Sequence, residues 1–457
     1  MDLNRPRRLA GWLGLIAPAL LTFLQPLTMS GATLKAGVAS ADITPPFGKY
    51  RVVSSGKIGV SARDTLYAKV LVLEDSQTRI AIVSLDLCYA FPPEMFDPYR
   101  QRLKRAAGID YVVLNASHTH NGPETIPDAT MTATDDELRD MPWNAETMEK
   151  IYQAVLKAHS SAVPVLIGFG YGESTIGTNR RLVTPQGVKT LGRTSPDKIP
   201  VEPSDRRVGV LRLDREDGTP LAVVVHYACH PVTLMTNDAT DFSADYVGEM
   251  RTDAAARIPG HPEVLFLQGA AGDINLRDKI TGSGEQEVKR YGHELANAVV
   301  DAAAEIQTRD ESGLSYRFEI LKFPSRWPPD VLSYEGRRRH GGDVRWFEMA
   351  YHPDYSSPVG TLILGKTLAL AFLPDEPFID YQFELDRKSP IANTLLVGYC
   401  ERGSGYLPTI RAAAEGGYGG NDSETLLSIG AGDIMVLHAV IQLDQQLGLF
   451  HELPLDQ

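Results

Sequence analysis

Short apolar runs that stop abruptly at polar clusters recur along this chain. Tyr67 to Leu73 and Ile80 to Leu87 are two such runs joined by the polar turn Glu74-Asp75-Ser76-Gln77, which predicts a pair of strands. Lys35 to Ile43 predicts an earlier strand that Pro45-Pro46 stops, and Tyr111-Val112-Val113-Leu114 a buried one. Val208 to Asp214 and Leu221 to Ala228 flank Glu216-Asp217-Gly218-Thr219-Pro220 and predict a hairpin. Glu263 to Gln268, Leu314 to Phe323 and Gly360 to Leu373 read as further strands. Helical spacing marks Glu94 to Ala107, Ala145 to Ser160, Ala244 to Ile258, Gln286 to Ile306 and Asp433 to Leu447.

Strands and helices interleave without a regular βα period, and no internal repeat is visible. That predicts a mixed α/β (α+β) fold, with layered β-sheets flanked by helices. Two insertions, Asp128 to Trp143 and Pro324 to Tyr355, are rich in Pro, Trp, Tyr and charge. They lack a linker's Gly/Ser composition and read as lids or substrate walls within one domain.

Composition narrows the function classes. The net charge of −13 speaks against a nucleic-acid partner, because phosphate backbones need clustered Lys and Arg. Arg5, Arg7 and Arg8 precede an apolar run from Leu9 to Leu24, followed by the small residues Ser30, Gly31 and Ala32. This is the layout of a secretory signal peptide, so residues 1–32 are read as the signal and 33–457 as a single domain, secreted or periplasmic. An uncleaved anchor is the competing reading of the run. Cys88, Cys229 and Cys400 are too few and too widely spaced for a disulfide framework, and Cys229 reads as a small buried side chain.

The candidate chemistry sits at the strand ends. Asn115-Ala116-Ser117-His118-Thr119-His120-Asn121-Gly122-Pro123 follows the Tyr111 strand. Alternate residues on extended backbone face one way about 6.6 Å apart. The two imidazoles can therefore share a metal ion, or one can hold it while the other handles protons. In Val223-Val224-Val225-His226-Tyr227-Ala228-Cys229-His230-Pro231, strand geometry puts His226 and His230 roughly 13 Å apart. That is too far for both to lie about 2.1 Å from one metal, and His230, at the strand end, is the better ligand. Gln268-Gly269-Ala270-Ala271-Gly272-Asp273 supplies close backbone approach and a carboxylate that can orient a ligand histidine. Leu373-Pro374-Asp375-Glu376-Pro377 delivers two more carboxylates, and the Gly398-Tyr399 to Tyr418 stretch sets tyrosines among glycines.

Taken together these segments resemble the catalytic domain of the neutral, non-lysosomal ceramidase family. The resemblance is carried by Ala41-Asp42-Ile43-Thr44-Pro45-Pro46, His118 to Pro123, Asn179-Arg180-Arg181, Cys229-His230-Pro231, Ser243-Ala244-Asp245-Tyr246, Gln268 to Asn275 and Gly405-Tyr406 to Tyr418. They occur in the family's order and span nearly all of residues 33–457. The resemblance implies a zinc amidase that hydrolyses the N-acyl bond of ceramide. It implies His118, His230, Glu376 and Tyr406 as ligands of Zn2+, His120 as the proton-handling imidazole, and Arg180 and Tyr418 facing the substrate carbonyl oxygen. The substrate would be a small molecule or lipid, reached by peripheral contact with a membrane surface.

The chain departs from the family at points on the expected pocket walls. Pro123-Glu124-Thr125-Ile126 replaces a glycine-rich continuation, Arg181 and the polar loop to Thr194 follow Arg180, and the C-terminal immunoglobulin-like domain is not expected. A zinc hydrolase of the same fold acting on an ester or sugar-linked substrate is therefore the alternative. A non-catalytic exported metal- or ligand-binding protein is a third. Amidohydrolase barrels also use His-x-His after a strand, but the later Lys, His and Asp set they need is not found here.

Overall fold

The computed structural model describes residues 34–125, 142–191, 201–277, 284–331, 353–401, 405–421 and 424–449. The basic and apolar N-terminus lies outside them, as do most of the two long insertions. The chain divides into two units, Met1–Gly31 and Ala32–Gln457, and every described residue falls in the second. Among the described residues no helix is long and apolar enough to cross a membrane.

Among the described residues eight strands form the main sheet. They are β1 (Lys35–Asp42), β2 (Tyr67–Glu74), β3 (Arg79–Leu85), β4 (Tyr111–Ala116), β5 (Val163–Glu173), β6 (Arg207–Arg215), β7 (Pro220–Tyr227) and β8 (Glu263–Gln268), in the spatial order β8-β7-β6-β5-β1-β2-β3-β4. The β3–β4 and β7–β8 pairs are parallel. Each parallel pair needs a crossover, which α1 (Pro93–Ala107) gives the first and α3 (Asp245–Arg257) the second. Helix α2 (Pro142–Ser160) joins β4 to β5, and α4 (Gly284–Glu305) follows β8.

A second sheet holds β9 (Leu314–Pro324), β10 (Asp354–Leu364), β11 (Leu368–Phe372) and β12 (Asn393–Val397), in that order. The apolar run Gly360–Leu373, read from sequence as one strand, is the adjoining parts of two. Gly365 turns the chain at φ 58°, and Gly360 pairs back onto Phe372. Helix α5 (Asp380–Lys388) carries the parallel crossover from β11 to β12, and α7 (Ala431–Gln446) comes last, after the short α6 (Ile410–Glu415).

Side-chain alternation on the strands separates two cores. On β2, Ala68, Val70 and Val72 join the core packed by the helices, while Leu71 and Leu73 join the core between the sheets. On β7, Val223 and Val225 face the helices, and Ala222 and Val224 face Leu370, Phe372 and Leu395 of the second sheet. The expected layered α/β architecture is therefore present, as sheet on sheet with helices outside.

Strands β4 and β8 are the outer strands of the main sheet, yet they meet. Gln268 N–H donates to Asn115 Oδ1 at 3.1 Å, Gln268 Nε2 donates to the Ser117 carbonyl at 2.9 Å, and Ser84 Oγ donates to the Phe266 carbonyl at 2.6 Å. Asn115 Nδ2 in turn donates to the Gly398 carbonyl just past β12. These buried side-chain bonds bring the carboxyl ends of β4, β8 and β12 to one place, and parallel pairing sets the ends of β7 and β11 beside those of β8 and β12.

Candidate metal centre

His118 and His120 follow the end of β4. Strand pairing stops at Ala116, whose N–H donates to the Tyr399 carbonyl, and His118 N–H donates to the Leu87 carbonyl at 2.9 Å. These bonds hold His118 at φ 65°, in the left-handed region. The two histidines therefore do not face one way on extended backbone, as the spacing predicts. The turn instead brings their Nε2 atoms to 3.3 Å, with the rings edge-on.

The tautomers of two histidines follow from their partners. His118 Nδ1 lies 2.8 Å from the Cys88 carbonyl, and His230 Nδ1 lies 3.1 Å from the Ile274 carbonyl. A carbonyl oxygen only accepts, so in the neutral ring each Nδ1 carries the hydrogen and each Nε2 turns a lone pair inward. The Ile274 carbonyl is fixed in turn because Ile274–Leu276 pairs with Gly177–Asn179.

Glu376 reaches the same point from the second sheet. The chain leaves β11 through Leu373-Pro374, passes Asp375 at φ 66°, and pairs Glu376–Pro377 with Tyr406–Leu407. One carboxylate oxygen, Oε2, then lies 3.3 Å from His118 Nε2 and 3.3 Å from His230 Nε2. All three side chains are buried, and their donor atoms lie within 4.8 Å of one another. Ligand atoms about 2.0–2.1 Å from a tetrahedral zinc ion are themselves about 3.3–3.4 Å apart, so the spacing suits a shared ion. His230 Nε2 is buried and has no hydrogen-bond partner, which leaves its lone pair for a cation.

Electrostatics pull the groups of this centre in opposite directions. Burial alone would depress His118, but Cys88 and Glu376 outweigh it and hold the imidazole well above its usual range. Burial alone would raise Glu376, but His118 and His230 hold it well below the usual carboxylate range. Burial, with Glu376 only partly opposing, pulls His230 down to about 4. His120, half-buried, is pulled well below its usual range by burial and by the two neighbouring imidazoles.

The remaining expected residues surround this triad. Arg180 is buried, takes its backbone position from the Asp273 carbonyl and gives an Nη2 hydrogen bond to the Gly272 carbonyl. Its guanidinium lies 5.1 Å from the ring centres of both Tyr406 and Tyr418, and its buried Nε has no partner. Tyr406 donates its hydroxyl to Tyr418 at 3.3 Å, and Tyr418 is 41% exposed, so this side opens outward. The structure thus gathers His118, His120, His230, Glu376, Arg180, Tyr406 and Tyr418 in one neighbourhood. Its tightest part is the two histidines and the glutamate.

Two further sequence readings have opposite outcomes. His226 donates to or accepts nothing in the centre; its Nε2 bonds the Leu396 carbonyl at 2.8 Å, between the sheets. That agrees with choosing His230 of the pair. Asp273, by contrast, orients no histidine. It accepts from Asn179 Nδ2 at 2.7 Å and from Ile379 N–H at 2.8 Å, tying the segment before Arg180 to the one after Glu376.

Sequence reasoning names Tyr399 only as part of a tyrosine-rich stretch and gives no site role to Cys88. Tyr399 places its ring 4.5 Å from that of His118 and its hydroxyl 3.5 Å from Glu376 Oε2. The signal was there, since Thr394-Leu395-Leu396-Val397 is another apolar run ending at a polar cluster. Cys88 Sγ lies 3.5 Å from His118 Nδ1, and it follows the same kind of run at the end of β3.

No protein-family model matches the chain. Among solved structures, the fold is similar to a neutral ceramidase from Pseudomonas aeruginosa, with a TM-score of 0.73 and 18% identity over 92% of this chain and 76% of that one. A ceramidase complexed with C2 is similar at a TM-score of 0.70 and 16% identity, again over 92% and 76%. The chain therefore has a neutral ceramidase-like fold over almost its whole length.

Proposed function

We propose that this domain, with its neutral ceramidase-like fold, is a zinc-dependent amidohydrolase that cleaves an N-acyl bond in a ceramide-type lipid. The observation that carries the reading is the convergence of His118 Nε2, His230 Nε2 and Glu376 Oε2, delivered by three separate strand ends. Two imidazole nitrogens and a carboxylate form a donor set suited to zinc, and Tyr406 is the proposed fourth ligand. The ceramidase structures that share the fold support the amide and the lipid class. The basic and apolar N-terminus supports export.

A zinc ion at this site would polarise the substrate carbonyl and lower the pKa of a bound water to about 7. The chain's own residues supply the rest. His120, next to His118 and outside the triad, accepts a proton during attack and returns it to the leaving nitrogen. Arg180, with its buried unpartnered Nε, and the Tyr418 hydroxyl donate to the carbonyl oxygen as it gains negative charge. Each such donor is worth roughly 3 kcal/mol in comparable sites. Tyr406 packs under the guanidinium and keeps it aimed. A lipid substrate would bring the protein to a membrane surface as a peripheral visitor.

Metal analysis of purified protein, followed by turnover on ceramides, N-acyl amino acids, acyl esters and acetylated sugars, tests the reading. Bound zinc with release of fatty acid from a ceramide is the expected result. Turnover confined to esters or sugars would remove the amide assignment, and bound zinc with no turnover at all would remove catalysis.

A further inference from the structure

Tyr399 is absent from the residues that the sequence resemblance implies, yet its hydroxyl reaches the carboxylate of the triad. It stands 3.5 Å from Glu376 Oε2, the oxygen that also faces His118 Nε2 and His230 Nε2. The ring is buried, 4.5 Å from the His118 ring and edge-on to His230 at 6.4 Å.

The backbone around Tyr399 is strained in a way that serves this placement. Tyr399 has φ 53° and Asp375, the residue before Glu376, has φ 66°. Left-handed geometry in a non-glycine residue is costly and persists only where the surroundings impose it. Here the two strained residues hold each other, because Tyr399 N–H donates to the Asp375 carbonyl at 3.0 Å. The Tyr399 carbonyl accepts from Ala116 N–H at the end of β4 at 3.1 Å. One set of bonds thus links the segment bearing His118, the segment bearing Glu376 and Tyr399 itself. A tyrosine that only filled a core would have no need to turn its hydroxyl onto a buried carboxylate.

We infer that Tyr399 is a positioning residue of the metal centre, its hydroxyl donating to the Glu376 carboxylate and its ring fixing the plane of His118. The inference rests on the metal-hydrolase reading above. Partners of this kind set the orientation of a ligand, and their removal typically weakens metal binding about 10–100-fold.

The test is Tyr399→Phe, which deletes one oxygen and keeps the ring. Zinc affinity would be measured by competition with a chromogenic chelator, and the thermal melt would be recorded without metal. The expected result is zinc affinity about 10–100-fold weaker, with a metal-free melt like that of the parent chain. Parental zinc affinity in Tyr399→Phe would overturn the inference and leave the metal reading standing. A metal-free variant that no longer melts cooperatively would also overturn it, since the hydroxyl would then be serving the fold. A parent chain that takes up no zinc would end both readings.

Discussion

Gly272 and Glu376 are packed so closely that a Cβ on Gly272 would stand 2.3 Å from the Glu376 carbonyl oxygen. Gly272 N–H also donates to the Pro377 carbonyl at 2.8 Å, so the loop after β8 and the segment after β11 lie backbone to backbone. Gly272→Ala must push these segments apart, and overpacking of this kind costs about 1–3 kcal/mol. The displacement falls on the residue that brings a carboxylate to the two histidines. The variant should melt lower and bind zinc more weakly, with a larger drop in melting temperature for the zinc-loaded form than for the metal-free form. Equal drops in both forms would mean that Glu376 does not move.

The three histidines of the site should separate by function. His118→Ala and His230→Ala each remove a buried Nε2 from the triad, so zinc content and activity should vanish together. His120→Ala leaves the triad whole and should keep most of the zinc while losing turnover by about 10²–10⁴-fold, the usual contribution of a proton-transferring side chain. Metal content by elemental analysis, set beside turnover for the three variants, decides the matter. A His120→Ala chain without zinc beside a His230→Ala chain with it would reverse the ligand assignment.

Much of this site is legible because the segments bearing His118, His230 and Glu376 share a local signature, an apolar strand ending in a polar cluster. The choice of His230 over His226 needed only strand geometry. What stayed hidden is tertiary. The left-handed turn at His118 is imposed by the Leu87 carbonyl, and nothing in Ser117-His118-Thr119 announces it. Tyr399 meets Glu376 only once β11 and β12 lie side by side. In the fold, β5 gives no strand signal because Gly168, Gly170 and Gly172 interrupt its apolar alternation. The β10–β11 hairpin reads as one strand because both arms are apolar around the single Gly365.

Asp273 gives stability a definite dependence on pH. Its carboxyl is buried, and burial raises its pKa from the ordinary 3.8 to about 6, with the Ile379 N–H and Asn179 bonds only partly opposing. The folded chain therefore binds this proton more tightly than the unfolded chain does. Between pH about 4 and about 6 the group's contribution falls as pH rises, by on the order of 3 kcal/mol, and it is flat above that window. Asp273→Asn stays neutral and should lose this slope, with a constant cost from the amide now facing Asn179. Urea melts of both chains from pH 4 to 7 measure it, and parallel stability curves would contradict the shifted carboxyl.

A buried ion pair anchors the segment that follows Tyr399. Arg100 on α1 donates to Glu401 Oε1 at 2.5 Å and to the Val112 carbonyl at 3.0 Å, and both side chains are nearly inaccessible. Glu401 itself sits at φ 58°, two residues beyond Tyr399. Removing one partner of a buried pair strands the other charge in a low-dielectric interior, typically at a cost of about 3–5 kcal/mol. Arg100→Met should therefore destabilise the fold by about that amount. Glu401→Leu added to Arg100→Met should restore much of the loss, because no unpaired buried charge then remains; Asp97, the other carboxylate on Arg100, is exposed to solvent. Urea unfolding of the single and double variants is the measurement. A double variant no more stable than Arg100→Met would mean that Arg100 matters through its stacking on Phe96 and Tyr111, whose ring centres lie 5.2 and 4.8 Å from the guanidinium, and not through its charge.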